Sequence, residues 1–384
     1  MSPEEALRAL DHTALLGRGR QEAEALCEGL AASLASRPDR ELARRLQAWV
    51  GILLLVDGRP GAFEALQEAA RRADEAGDGR LALRCRLFAV RALAAMGRTA
   101  SAAELLAEQR AAAEAEPGLA GELRLAEASA GHPEPRRLWE EALARLPSPG
   151  RDADRAEALL GLGVLARDGE DLVRARAHWR AGLELCAAHG DERGKLRFAT
   201  LLGNLLLEAG QNAEAAQVLA VAVRSAEILG DSLVLLAEAT LLTALQLAAE
   251  DWEAAERTAT LVEEAAARRN NPHAMADAAI SRSACRIGVG DVPGALTALI
   301  EAAARLRERG SVTGLNLLKA RLGELRIGLT PAVFDPLWQR QMGVARPSAP
   351  PPARTEPAAP AAPQATGNVT RLDKGWGSAN KLKG

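Results

Sequence analysis

Few residues in this 384-residue chain have the types and spacings that covalent chemistry needs. His12, His132, His178, His189 and His273 include no HExxH arrangement, and their spacing brings none of them an evident carboxylate or nucleophile partner. Cys27, Cys85, Cys186 and Cys285 lie far apart, at neither metal nor redox spacing, and read as small core residues. Gly161-x-Gly163-x-x-Ala166 imitates a dinucleotide fingerprint, but that motif belongs between a strand and a helix, and this copy falls inside a predicted helix. Acidic residues are plentiful, yet those three or four positions from an Arg read as solvated helix pairs. Asn368-Val369-Thr370 fits a glycosylation acceptor, which means little in a cytoplasmic protein. The expectation is therefore no catalytic site, no metal and no cofactor. What chemistry there is must be recognition.

The elements that would position a recognition surface are legible. Gly190-Asp191, Gly230-Asp231, Asn270-Asn271 and Gly310-Ser311 recur at intervals of 40 residues. Gly or Asn tolerates the left-handed conformation that ends a helix, and Asp, Asn or Ser accepts from the free N–H groups of the next first turn. Halfway between lies a second breaker column, Glu170-Asp171, Gly210-Gln211, Glu250-Asp251 and Gly290-Asp291. Pro272 and Pro293 fall just inside predicted helix starts, where a missing N–H costs least. Each unit is thus a helical hairpin, and the chain is a tandem array.

Within the units Ala175, Ala215, Ala255 and Ala295 form one column, followed at helical spacing by Trp179, Leu219, Ala259 and Leu299, then by Gly182, Ala222, Val262 and Ala302. Gly163, Gly203, Thr243 and Ser283 are small throughout, and let paired helices approach closely. The preceding position reads Leu162, Leu202, Leu242 and then Arg282. These columns resemble the tetratricopeptide repeat, in which a first-helix Leu-Gly pair precedes an Ala, an aromatic or Leu, and an Ala in the second helix. Leu162-Gly163 with Ala175, Trp179 and Gly182 carries the pattern, as does Leu202-Gly203 with Ala215, Leu219 and Ala222. The departures are a chain without Tyr, aliphatic residues such as Leu206 at first-helix aromatic positions, no closing Pro, and a 40-residue unit that looks like the long-helix variety. The resemblance runs from about Asp152 to Arg326. It implies an all-α, right-handed α-solenoid whose first helices line a concave groove.

The same grammar persists with slipped spacing earlier on. Ala62, Leu66, Ala69, Ala73 and Gly77 repeat the second-helix pattern, a third unit passes through Ala102 and Leu106, and a fourth holds Trp139, Ala142 and Leu146. An opening pair near Pro3 to Leu16 and Gln21 to Ser36 would complete eight hairpins, closed by Ser311 to Ile327. The expected organisation is divergent repeats over 1–150, regular repeats with capping helices over 151–342, a disordered Pro/Ala linker over 343–366 and a terminal peptide over 367–384. Pro147 to Gly150 could act as a hinge. Hydrophobic residues, 48% of the chain, suffice for a continuous core. A net charge of −3 excludes a nucleic-acid footprint spread over the fold. Met1 to Gln21, with Glu4, Glu5, Arg8 and Asp11, is no secretory signal, and Ala48 to Val56 is too short to span a bilayer, so a cytoplasmic location without a membrane partner is expected.

The resemblance also implies which positions face the groove: Arg197, Thr200, Asn204 and Leu207; Thr240, Ala244 and Leu247; Asp277, Ile280, Ala284 and Ile287; and, in the preceding unit, Glu157, Leu160, Val164 and Arg167. Asn204 could hydrogen-bond a peptide backbone. Leu207, Leu247 and Ile287 either form an exposed aliphatic row or pack against the next unit. No Lys/Asn/Arg cluster occupies these offsets, which argues against a carboxylate clamp of the kind that holds chaperone C-termini. The terminal peptide concentrates Lys374, Lys381 and Lys383 of the chain's five lysines around Trp376, with Arg371 nearby. Trp376 would anchor a docking peptide and the cations would steer it toward an acidic surface, or the segment is simply a solubilising end. The expected function is a non-catalytic protein-interaction scaffold or adaptor that binds a peptide or an amphipathic helix. The alternatives are a peptide-responsive regulatory sensor and a basic-tail regulator of a nucleotide-binding partner. Trp376 itself could fill the groove until a partner displaces it.

Overall fold

The computed structural model describes residues 20–36, 39–56, 60–146 and 151–341. The opening segment at Pro3 to Leu16, the 147–150 segment, the linker over 343–366 and the terminal peptide with Arg371, Lys374, Trp376, Lys381 and Lys383 lie outside the described residues. Among the described residues there are seventeen α-helices, one short 3-10 turn and no strand. The irregular part comprises α1 (Arg20–Ser36), α2 (Arg40–Val56), α3 (Ala62–Glu75), α4 (Gly79–Ala95), α5 (Thr99–Glu114), α6 (Ala120–Ser129) and α7 (Pro135–Arg145). After it come α8 (Asp152–Asp168), α9 (Leu172–His189), α10 (Glu192–Glu208), α11 (Asn212–Leu229) and α12 (Ser232–Ala248). The array ends with α13 (Trp252–Arg268), α14 (Pro272–Gly288), α15 (Val292–Glu308), α16 (Val312–Gly328) and α17 (Pro331–Gln341). The helix expected to close the array, α16, is itself paired: Thr330 turns the chain with φ of 63°, Pro331 opens α17, and the stacked Phe334 and Trp338 rings pack onto the last core cluster.

From α8 onward the turns keep strict time. Gly190, Gly230, Asn270 and Gly310 all adopt positive φ, between 51° and 69°. The next residue's N–H then reaches back to close the helix, Asp191 to Cys186 O, Asp231 to Ala226 O, Asn271 to Ala266 O and Ser311 to Leu306 O. Each of those four side chains caps the following helix, accepting from Gly194 N, Val234 N, Ala274 N and Gly314 N respectively. Inside the hairpins Gly210 and Gly290 do the same, but Glu170 and Glu250 hold φ of 59° without a glycine's freedom. Glu250→Gly is accordingly expected to stabilise the protein by about 0.5–1 kcal/mol by relieving a left-handed non-glycine residue. A thermal midpoint that falls instead would show that the Glu250 side chain does something the turn needs.

Hairpin packing follows from the columns. Ala175, Ala215, Ala255 and Ala295 are all fully buried, as are Trp179, Leu219, Ala259 and Leu299 one turn later. A Cβ built on Gly163 would fall on the Trp179 indole, and one on Gly203 would come within 2.6 Å of Leu219 Cδ2. Where the second-helix residue shrinks to Ala259 the small partner grows to Thr243, so the pair keeps its combined volume. Each helix packs on its sequence neighbours, but first helices also touch across units: α2 with α4, α4 with α6, α6 with α8, α12 with α14 and α14 with α16. Second helices do so chiefly at the end, α15 with α17. Over α2 to α8 and α12 to α16, first helices therefore form the tighter, inner layer, and second helices the outer one.

A network of buried charges crosses this apolar core. Arg91 of α4 is 4% exposed and donates through Nη1 to Asp154 Oδ1 of α8 at 2.8 Å; it also pairs with Glu157. Arg151, at the start of α8, donates from Nε to Asp154 Oδ2 at 2.8 Å and pairs with Glu122 of α6, which Arg84 of α4 meets at 3.0 Å. Arg91 stacks over Phe88, and Arg84 lies over Trp49 and Phe88. The first helices on both sides of residues 147–150 are thus joined by buried, charge-assisted contacts.

Candidate functional site

The inner layer is not uniformly polar. Helix α12 reads SLVLLAEATLLTALQLA, with Glu238 as its one charge, and is apolar nearly all round although it lies at the surface. Its core side takes Leu235, Ala239 and Leu242; the rest of its aliphatic surface faces outward, leaving Leu233 57% and Leu241 39% exposed. Between α12 and α14 this surface forms a trough of about 940 Å³. Leu233, Leu236, Leu241 and Leu247 supply the α12 wall, Ala274, Asp277 and Ser281 the α14 wall, and Ala259 with Val262 of α13 the floor. Asn271, the cap of α14, lies at one end. Small residues make the hollow: Ala237 and Ala244 on α12 and Ala274 and Ala278 on α14 stand where larger side chains would fill it.

Helix α10 presents a different face. Arg197 is exposed, while Thr200, Asn204 and Leu207 are half-buried on the same side. Among the described residues neither Arg197 nor Asn204 has a hydrogen-bond or ion-pair partner, and the buried Thr200 hydroxyl has no partner in hydrogen-bond geometry. Partial burial lowers the Arg197 pKa, and the charge of Glu157 offsets this in part. Across from Thr200, Glu238 of α12 is 5% exposed with Oε2 unsatisfied; burial raises its pKa, which the nearby Thr200 hydroxyl only partly counters.

Of the groove positions expected from the repeat register, Thr240, Ala244, Leu247 and Asp277 all line the trough. The remaining ones divide. Leu207 packs against the core clusters on either side of it, and Ile280 and Ile287 pack against the last cluster, so of the aliphatic row only Leu247 lines the hollow. Ala284 is half-buried; Leu160 is buried, Val164 exposed, and Arg167 pairs with Glu208 of α10 at 3.3 Å. Leu233, Leu236, Leu241, Val262 and Ser281 were missed by that register. The all-round apolarity of α12 was the signal that pointed to most of them.

The other candidate chemistry resolves simply. Gly161 and Gly163 lie in the middle of α8, which leaves no phosphate-binding turn there. All four cysteines are buried and none is in a disulfide, and burial pushes the Cys85 and Cys285 thiols up to about 12 and about 11. Two histidines do have carboxylate neighbours, contrary to the expectation from spacing: His273 Nδ1 lies 2.9 Å from Asp277 Oδ2 and His189 Nε2 lies 3.4 Å from Asp152 Oδ2. No cluster of metal-ligating side chains occurs among the described residues, and no described helix is long and apolar enough to cross a membrane.

Comparison with known proteins gives no family. No protein-family model matches the sequence, and no curated protein matches it. Among solved structures the chain is similar to the apo form of RapI at 13% identity and a TM-score of 0.44, over 86% of this chain and 99% of that one. A Rap protein complexed with competence and sporulation factor aligns at 12% identity and 0.39, over 86% and 99%. A circular tandem repeat protein aligns at 17% identity and 0.27, over 89% and 95%. At these scores the likenesses add nothing to the helical-repeat architecture the helices themselves display.

Proposed function

We propose that this protein is a non-catalytic, cytoplasmic scaffold of the long-unit tetratricopeptide kind that holds a partner polypeptide along its inner layer. The observation that carries the reading is the open apolar trough between α12 and α14. A solvent-facing hollow of this size, walled by aliphatic side chains and floored by Ala259 and Val262, suits the burial of another apolar surface. The terminal peptide with Trp376 is proposed as a second, separate docking element, independent of the groove.

Affinity purification with the full-length chain, an Ala244→Glu variant and a form ending at residue 366 tests this. Ala244→Glu places a carboxylate in the hollow without touching the core, and is expected to weaken groove partners at least about tenfold. Partners lost on truncation belong to the tail. If identical proteins come through with all three baits, neither surface recruits anything and the scaffold reading fails.

A further inference from the structure

The charged side chains of the inner layer carry a polarity that bears on what the groove accepts. At the same position of successive first helices the chain has Glu157, Arg197, Ala237 and Asp277, each 40 residues after the last. Glu157 is already committed, since Arg91 takes it. Three guanidiniums, Arg84, Arg91 and Arg151, there face three carboxylates, Glu122, Asp154 and Glu157, so the network is balanced without Arg197. Arg197 remains an exposed cation with no carboxylate within 4.0 Å among the described residues. Ala237 opens the hollow. Asp277, 51% exposed on the far wall, has only His273 of its own helix as a partner, and no Arg or Lys within 4.0 Å among the described residues.

Resting on the reading of the groove as a polypeptide-binding site, we infer that its occupant is dipolar: an acidic group pairs with Arg197, an apolar block fills the trough, and a basic group pairs with Asp277. Complementarity of charge is the ground for this occupant. A purely apolar segment would cover the trough but leave the exposed Arg197 charge on the neighbouring first helix unpaired, whereas a carboxylate there gains a charge-assisted hydrogen bond. Helices in direct contact pack about 10 Å apart, and two steps lead from α10 through α12 to α14, so the two charges are at least about 20 Å apart. An extended segment spans that in about six residues and a helix in about thirteen, so the spacing of acid and base also reports the occupant's conformation.

A random 15-residue peptide library displayed on phage, panned against the full-length protein and against Arg197→Gln, Asp277→Asn and Ala244→Glu, reads this out. The expected result is enrichment of an acid and a base flanking an aliphatic block, all lost with Ala244→Glu. Arg197→Gln should drop only the acid preference and Asp277→Asn only the base preference, each weakening synthetic copies of the selected peptides by about ten- to a hundredfold. Enriched aliphatic peptides with no charge at a fixed distance, or affinities indifferent to both charge removals, would overturn the dipolar occupant while leaving the groove reading intact. If no selected peptide is sensitive to Ala244→Glu, both fall together. Arg197 and Asp277 are exposed, so unchanged circular dichroism is expected of both variants.

Discussion

Arg91→Met is expected to destabilise the protein by about 3–5 kcal/mol, more than a lost surface ion pair could. The guanidinium is almost wholly buried and serves two carboxylates on a helix 63 residues away, Asp154 at 2.8 Å and Glu157. Removing it leaves Asp154, itself 2% exposed at its side chain, with Arg151 alone. Burial by itself would raise the Asp154 pKa, but the charges of Arg151 and Arg91 more than reverse this and hold it at about 2. A carboxylate whose folded pKa lies below its unfolded value of about 4 stabilises at higher pH, here by about 2 kcal/mol, and loses that contribution as pH falls from about 4 through 2. Urea unfolding followed by Trp fluorescence at pH 7 and pH 3 measures both effects. The variant should also lose less on acidification than the native chain. Arg91→Met/Asp154→Leu should recover part of the loss, because no lone buried charge remains at that contact. An Arg91→Met transition within about 1 kcal/mol of the native one would mean that the network contributes only specificity.

Trp179→Ala should cost a similar amount, about 3–5 kcal/mol, through the cavity left in a fully buried site. The indole fills the space that Gly163 leaves free and packs in the cluster with Leu160, Phe198 and Leu202. Its Nε1–H has no acceptor, so the ring is held by shape and not by a hydrogen bond, and Trp179→Phe should be far milder. Two units on, the chain already shows a working alternative in Thr243 with Ala259. Gly163→Thr alone should therefore destabilise by collision with the indole, whereas Gly163→Thr combined with Trp179→Ala should be more stable than the sum of the single changes predicts. A double-mutant cycle on urea midpoints gives the coupling directly; additive effects would show that the column does not trade volume between its two members.

Both experiments touch features that differ in how openly the sequence displays them. The turn at Gly230-Asp231 is local: the residue types needed for a left-handed closure and a cap stand side by side, and the 40-residue echo removes ambiguity. The Gly163 and Trp179 pairing is nearly as plain, because both positions recur in every unit. Arg91 with Asp154 could not be read, since its members lie in the part where spacing slips and nothing short of the folded helices brings them together. The trough was half legible. Register named Thr240, Ala244, Leu247 and Asp277, but which of several aliphatics line the hollow depends on how far neighbouring helices splay, which spacing does not encode. His273 and Asp277 are an oversight of a different sort, because four residues on one helix is a distance any sequence shows.

The metronomic turns have one more consequence. Because the units α10–α11, α12–α13 and α14–α15 each open on a side-chain cap and close on a left-handed Gly or Asn, their ends are interchangeable with one another. A unit can be copied, removed or exchanged without redesigning a seam, so lineages could lengthen the ribbon by duplication and retune ligand choice by altering a few inward residues while the scaffold's joinery stays unchanged.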